Sequence, residues 1–490
     1  MHQTLMARLR THIPCLFILI LVLLCIAIGI VVFTFDLNRY RAQVEQELQQ
    51  ALGADIKIEG DLNLSLQLTS VIEIEGLKIQ DRGADIASIK KASLSFPLLS
   101  LLQGDVQLDK ITIKQGTFRL LPDHWPFPND KLGPPPASSD GSPVWKHIPG
   151  SVYEVIQSNI SYEHEDSPRH IVINDLNMTI SATKMHLPTA NGNSFTNTTF
   201  HGQLQAARIS TIWVELDKVS STISYDNHLL ELTGISSRLF QGEGHGDFFV
   251  RLDTEKTNYQ LNLKLEEMEA AVSLSRLANE GLIKGTLSLY ADLSWQGNNS
   301  KEILNSLHGD INLSGEELLL KNINLDKTIN NFNQTQRFNL VDLGAYFFIG
   351  PMGTLATKGY SFAKITTSSD TQSSIIKQLV SDWKLKNGIA TAEDVALTTR
   401  QNRLALQGKL DIPNSLFQQM VFALVDRNGC AILSQRISGS LENPNIEPPK
   451  ILTTLTAPVR DVMSAPKKLL SPKRCTAFYS GRLTHPGTVR

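Results

Sequence analysis

The clearest regularity in the chain is alternation. Between residues 56 and 68 the apolar side chains Ile56, Ile58, Leu62, Leu64, Leu66 and Leu68 take even positions, with Gly60 in the same register. Lys57, Glu59, Asp61, Asn63, Ser65 and Gln67 take the odd ones. A period of two sends successive side chains to opposite faces of a strand, so one face is apolar and the other wet. The pattern returns at Ile72 and Ile74, shifts at Gly76 and resumes at Leu77 and Ile79. Val106 and Leu108, then Ile111 and Ile113, repeat it across Asp109-Lys110, which reads as a hairpin turn. Three more sets predict half-buried strands: Tyr259, Leu261, Leu263 and Leu265; Leu287, Leu289, Leu293 and Trp295; Leu404, Leu406, Leu410 and Ile412.

Helical spacing is scarcer. Arg41 to Leu52 predicts a short amphipathic helix, and residues 97–103, 301–307, 373–383 and 414–426 are further short candidates. The body is therefore mainly β, mostly antiparallel, with too little helix to cover an apolar sheet face. Such a face either packs on a second sheet, as in a sandwich, or the sheet curls and leaves a trough for an apolar ligand.

Residues 14–35 form an uncharged, almost wholly apolar run. As a helix it is about 33 Å long, enough to cross a hydrocarbon core of roughly 30 Å. A cleaved signal peptide has a shorter apolar region and small residues at its cleavage site; Phe33-Thr34-Phe35-Asp36 supplies none. The expectation is one uncleaved anchor with one large body beyond it. Arg8 and Arg10 precede the run and Arg39 and Arg41 follow it, so the positive-inside rule leaves its direction open. Residues 122–150 are rich in Pro, Gly and Ser and read as a linker or long loop. From Lys450 the tail is basic and interrupted by Pro458, Pro466 and Pro472. It is either a solvated tail or a contact for anionic lipid head groups.

Charge removes one class of function. The chain has 46 basic and 48 acidic residues, without the basic excess of a nucleic-acid binder. The chain's 4 cysteines are too few for a disulfide-stapled or multi-zinc scaffold. Cys15 and Cys25 fall in the apolar run. Cys430 and Cys475 lie in the body, and if that body is exported a disulfide between them staples the tail to the last strands; two free thiols are the alternative. Motifs for catalysis are missing. Gln241-Gly242-Glu243-Gly244-His245-Gly246 lacks the spacing and following helix of a dinucleotide loop. Glu163-His164-Glu165-Asp166 and His170 sit in a polar turn without the helical spacing of zinc ligands. No nucleophile elbow or phosphate loop occurs. The expected sites include no catalytic residue, no metal and no cofactor.

The order of several segments resembles the AsmA family. Residues 54–66 (ADIKIEGDLNLSL) follow the anchor, then 73–79 (EIEGLKI), then 97–106 (PLLSLLQGDV) leading into 108–113 (LDKITI). Nearer the C-terminus come 285–289 (GTLSL), 300–310, 318–325 (LLLKNINL), 388–391 (GIAT), 404–410 and 437–444. Lys321-Asn322 stands where glycine is common in the family. The resemblance covers roughly residues 1–120 and 280–445.

The resemblance implies a cytoplasmic N-terminus at 1–12, an inner-membrane anchor at 13–35 and the bulk of the chain in the periplasm. It further implies an AsmA-like β region at 36–121, the Pro-rich break at 122–150, a middle β region at 151–279, a second AsmA-like region at 280–447 and the basic tail at 448–490. The implied fold is an elongated, curled antiparallel sheet forming a groove, and the implied role is non-enzymatic, in outer-membrane biogenesis. The expected partner is membrane phospholipid, held along Ile56, Ile58, Leu62, Leu64, Leu66, Leu68, Leu261, Leu263, Leu287, Leu289, Leu404 and Leu406. A scaffold for outer-membrane protein assembly and, more remotely, an exported hydrolase are the alternatives. About 20–25 strands spaced near 4.8 Å give a sheet on the order of 100 Å long.

Overall fold

The computed structural model describes residues 36–99, 108–121, 152–164, 167–184, 199–211, 214–252, 255–273, 283–321, 324–327, 329, 373–451 and 475–488. The expected anchor, the Pro-rich break and most of the basic tail lie outside them. Among the described residues no helix is long and apolar enough to cross a membrane. The chain divides into two compact units, residues 1–170 with 174–200, and residues 171–173 with 201–490.

The first unit opens with a 3-10 turn at Leu37–Tyr40, whose N-cap Asp36 accepts from the Asn38 N–H at 3.0 Å. Helix α1, Arg41–Leu52, follows and ends at Gly53, whose φ of 68° only glycine adopts at low cost. Strands β1 (Asp55–Ile58) and β2 (Leu62–Ser65) both pair antiparallel with β3 (Thr69–Asp81). Strand β4 (Ala84–Pro97) follows across Arg82-Gly83, both at positive φ, the mirror-image turn that suits strand twist. Strand β5 (Lys110–Leu120) pairs antiparallel with β4, but β6 (Val152–His164) pairs parallel with β5. Strand β7 is Ser167–Lys184.

Helix α1 lies on this sheet. Leu37, Val44 and Leu48 pack on Ile56, Ile58, Leu62, Ile74, Leu77 and Ile79. Its polar side chains also meet the backbone of β1: Glu45 Oε1 accepts from the Ile58 N–H at 2.7 Å, and Gln49 Nε2 donates to the Ile56 carbonyl at 3.0 Å. Asn38 Oδ1 accepts from the Leu62 N–H at 2.9 Å. The helix thus supplies both an apolar cover and partners for an exposed sheet edge.

Three expectations are corrected here. The alternating run at 56–68 is two strands, because a Cβ on Gly60 would stand 2.7 Å from the Glu75 carbonyl oxygen and the chain bends at that close approach. Asp109-Lys110 is no hairpin turn: the Asp109 N–H donates to the Ser95 carbonyl, and Lys110 already pairs with Ser95 as the first residue of β5. The sheet is mixed, not wholly antiparallel. The connection between β5 and β6 is long enough to carry the chain back to the same end, as a parallel pair requires.

The second unit is built from β8 (Thr199–Thr211), β9 (Glu215–Asp226), β10 (Leu229–Leu239), β11 (Gly242–Arg251), β12 (Asn258–Glu269), β13 (Ile283–Lys284), β14 (Thr286–Gln296) and β15 (His308–Leu320). It continues through β16 (Ser374–Lys386), β17 (Ile389–Thr398), β18 (Arg403–Asp411), β19 (Leu416–Val425), β20 (Ala431–Ser440), β21 (Pro444–Ile446) and β22 (Lys450–Ile451). Each strand from β9 to β20 pairs antiparallel with the next, except that the short β13 sits beside β15 and β12 pairs directly with β14. Strands β21 and β22 both pair with β20. Register shifts at Leu265/Met268, Asp382/Trp383 and Thr391/Val395 mark bulges, which increase the local twist of such a sheet. No pairing among the described residues joins β20 back to β9, so the sheet is not closed. Helix α2 (Ser300–Ser306) links β14 to β15; Asn299 accepts from the Glu302 N–H and donates to its carboxylate, both at 3.0 Å.

The candidate helices at 373–383 and 414–426 are strands β16 and β19. Their alternation is masked because both faces are buried. Leu379, Trp383 and Phe422 face the main core, while Val380, Ala396, Ala405 and Val425 on the reverse face are covered by Tyr479 and Leu483. An apolar run without period two cannot be told from a buried helix by spacing alone.

The covering segment, residues 475–488, is firmly fastened. Cys475 is joined to Cys430, just before β20, by a disulfide with a Cα–Cα distance of 6.0 Å. Arg482 forms an ion pair with Asp382 at 2.8 Å. The buried Arg403 donates to the carbonyls of Leu483 at 2.8 Å and Asp426 at 2.6 Å, with its guanidinium 5.1 Å from the centre of the Tyr479 ring. The Tyr479 hydroxyl donates to Asp394 at 2.6 Å. Burial, reinforced by that carboxylate, holds the phenol well above its ordinary titration range, so it remains a donor.

Candidate apolar groove

Strand register turns the separate alternating patterns into continuous rows across the second unit. One row runs Ile223, Leu232, Phe248, Leu261, Leu293, Gly309, Leu385, Ala390, Leu410 and Phe417, each directly opposite the next on strands β9 to β19. Every position is apolar or glycine. The nine steps, near 4.8 Å each, make a track about 43 Å long. A second row beside it reads Gly246, Leu263, Ala291, Ile311, Trp383 and Ala392. A third contains Leu265, Leu289, Leu313, Ser381, Val395, Leu406 and Phe422. Its Ser381 hydroxyl accepts from the Trp383 indole N–H at 2.8 Å, which satisfies the polar groups inside the wall.

Burial changes along the first row. Ile223, Leu232, Phe248, Leu261 and Leu293 are half-buried. Leu385, Ala390, Leu410 and Phe417 are 3% exposed or less. The track is thus open from β9 to β14 and passes into a closed core from β16 to β19, where Leu318, Leu320 and Leu325 pack against the same wall. No position named in these rows carries an ionisable group. The surface is suited to holding hydrocarbon and not to acid–base chemistry.

The expected lining residues fall in different places. Leu261, Leu263 and Leu289 are half-buried on the inner face of the open section. Leu287, Leu404 and Leu406 belong to the closed core at 1%, 2% and 2% exposure. Ile56, Ile58 and Leu62 are in the first unit, packed beneath α1. Leu64 and Leu66 are half-buried there, and Leu66 lies just past the end of β2. Leu68 sits in a bend and is 92% exposed, so it lines nothing. Sequence reading missed Phe248, Gly309, Leu385 and Ala390. Their role depends on cross-strand register, and no period along a single strand announces it.

One end of the open section carries an aromatic stack. Tyr259 and Trp295 face each other across β12 and β14 with ring centroids 5.5 Å apart, and Phe248 lies 6.4 Å from Tyr259 and 6.2 Å from Trp295. Among the described residues, no group of three or more His, Cys, Asp or Glu side chains is placed to hold a metal ion.

The comparison with known families agrees with the resemblance in the sequence. The AsmA family model matches residues 7–129 and 201–395, and the chain belongs to the AsmA family. No individual curated protein matches it. The family is not known as one of enzymes, and its roles lie in outer-membrane biogenesis or lipid handling.

Proposed function

We propose that this protein holds phospholipid acyl chains along the open apolar track of its second unit, and that it works in the periplasm on an inner-membrane anchor formed by residues 14–35. The observation that carries this reading is the unbroken apolar register from Ile223 to Leu293, on a face whose side chains remain half-buried. An acyl chain gains roughly 0.8 kcal/mol for each CH₂ it removes from water, so a continuous track binds it with useful strength and without directional contacts. Movement along such a surface breaks no hydrogen bond.

Photo-crosslinking amino acids test the proposal. Placed at Leu261, Leu263 and Leu289, they are expected to capture phospholipid in cells. Placed at the outward-facing Gln260, Asn262 and Tyr290, or in the closed core at Leu404 and Leu406, they are expected to capture none. Equal labelling from both faces of β12 and β14, or none from either, defeats the acyl-chain reading. Protein-only crosslinks to outer-membrane assembly factors support a scaffold instead.

A further inference from the structure

Strands β3 and β4 form a long hairpin in the first unit, and its two ends differ in chemistry. The connecting end holds Asp81, Arg82 and Asp85, with Arg82 and Asp81 3.9 Å apart as an ion pair. At the opposite end, where β3 begins and β4 stops, the sequence has no charged side chain from Leu62 to Ile72 or from Ala92 to Leu99. That end is fastened by hydrogen bonds. The Ser70 hydroxyl donates to the Gln67 carbonyl, and the Leu98 N–H donates to the Leu68 carbonyl, both at 3.0 Å. Yet Leu68 is 92% exposed and Leu99 63%. A surface leucine standing alone needs no account. Two leucines on adjoining strand ends, joined through backbone bonds in uncharged segments, make an apolar tip.

The tip lies on the side from which the chain enters the unit. Asn38 binds Leu62, which pairs with Ile74; Glu45 binds Ile58, which pairs with Leu77; Gln49 binds Ile56, which pairs with Ile79. Residues 38–49 thus advance along β3 toward Asp81. Followed backward, their path runs toward Thr69 and the tip. Five residues at about 3.4 Å separate Ile74 from Thr69, so the tip stands about 17 Å beyond the level of Asn38. The uncharged apolar run 14–35 ends just before this entry point. Tyr40, which follows it, is exposed and is the residue type that sits at head-group level beside a membrane span. We propose that the tip inserts Leu68 and Leu99 into the surface of the bilayer that holds the anchor, so that the first unit rests on lipid as well as being tethered to it. This rests on the anchor reading above and adds a second contact to it. The anchor makes the insertion intramolecular, so the modest apolar area of two leucines suffices to hold the unit against the surface.

Fluorescence quenching on the full-length chain in phosphatidylcholine vesicles tests the contact. Cys15 and Cys25 are replaced by serine, the Cys430–Cys475 disulfide is kept, and nitrobenzoxadiazole is attached at L68C, at L99C or, toward the charged end, at the exposed position of S88C. Lipids with a doxyl group near the head of the acyl chain are expected to quench the two tip labels at least threefold more than the label at residue 88. Equal quenching at all three, or none at residues 68 and 99, overturns the proposal. A label at the neighbouring Gln67 guards against insertion driven by the dye. Its quenching is expected to fall at least threefold in L68E/L99E, and unchanged quenching there also overturns the proposal. Both leucines are exposed, so L68E/L99E is expected to keep the unaltered melting temperature. A label at Cys25, with Cys15 alone replaced, separates the two readings. If it is quenched and the tip labels are not, the anchor stands and the tip contact falls. If the chain does not float with the vesicles, the anchor reading itself fails and the tip contact goes with it.

Discussion

Leu62 and Leu68 share a parity and a chemistry, yet they are 2% and 92% exposed. The difference comes from what stands above each: Leu62 is in the core beneath α1, and Leu68 occupies a bend between strands. Truncating Leu62 to alanine is expected to cost about 2–4 kcal/mol in urea unfolding, as buried leucines do. The same change at Leu68 is expected to stay within about 0.5 kcal/mol. Equal losses at the two positions would show that α1 does not cover the sheet. The alternation at 56–68 was thus legible as strand, but a side chain's parity does not say whether a helix, a lipid or water meets it. That distinction is set by α1, whose Glu45 and Gln49 bind strand backbone and whose sequence looks merely amphipathic.

Among the elements, the segment 475–488 gives the sharpest test. Its disulfide closes a sequence separation of 45 residues, and a crosslink of that reach stabilises by on the order of 2–4 kcal/mol. Cys475→Ser is expected to speed hydrogen exchange in this segment and in the reverse face of β17 and β18, with β12 and β14 unchanged. The same docking depends on pH through His485. Burial, with the nearby cations Arg403 and Arg427, lowers its titration range, so the docked ring is neutral. The undocked histidine takes up a proton below about pH 6.5. Docking is therefore firm above that value and weakens as the pH falls through it. Exchange measured at pH 5 and pH 7.5 checks this, and His485→Gln is expected to flatten the difference. Elements with one wet face, such as β12 and β14, showed their period plainly. Strands β16 and β19 did not, because 475–488 buries their second face from far along the chain. The turn Phe240-Gln241 was also invisible: both residues hold positive φ, imposed by the pairing of β10 with β11 and not by any turn-forming side chain.

At the scale of the whole molecule, the proposed anchor fixes which compartment the groove serves. C-terminal reporter fusions are expected to be active with an enzyme that works only outside the cytoplasm and silent with one that works only inside it. The reverse result removes the periplasmic reading. The segment that seals β16 to β19 also sets an order on assembly. Its residues are the last described in the chain, and they complete strands made long before them. A chain released early, lacking residues beyond 474, leaves Val380, Ala396, Ala405 and Val425 without the cover of Tyr479 and Leu483. The segment thereby acts as a seal: a copy lacking it displays an apolar patch of the kind that proteases and chaperones recognise, and a copy with it in place hides that patch behind residues 475–488.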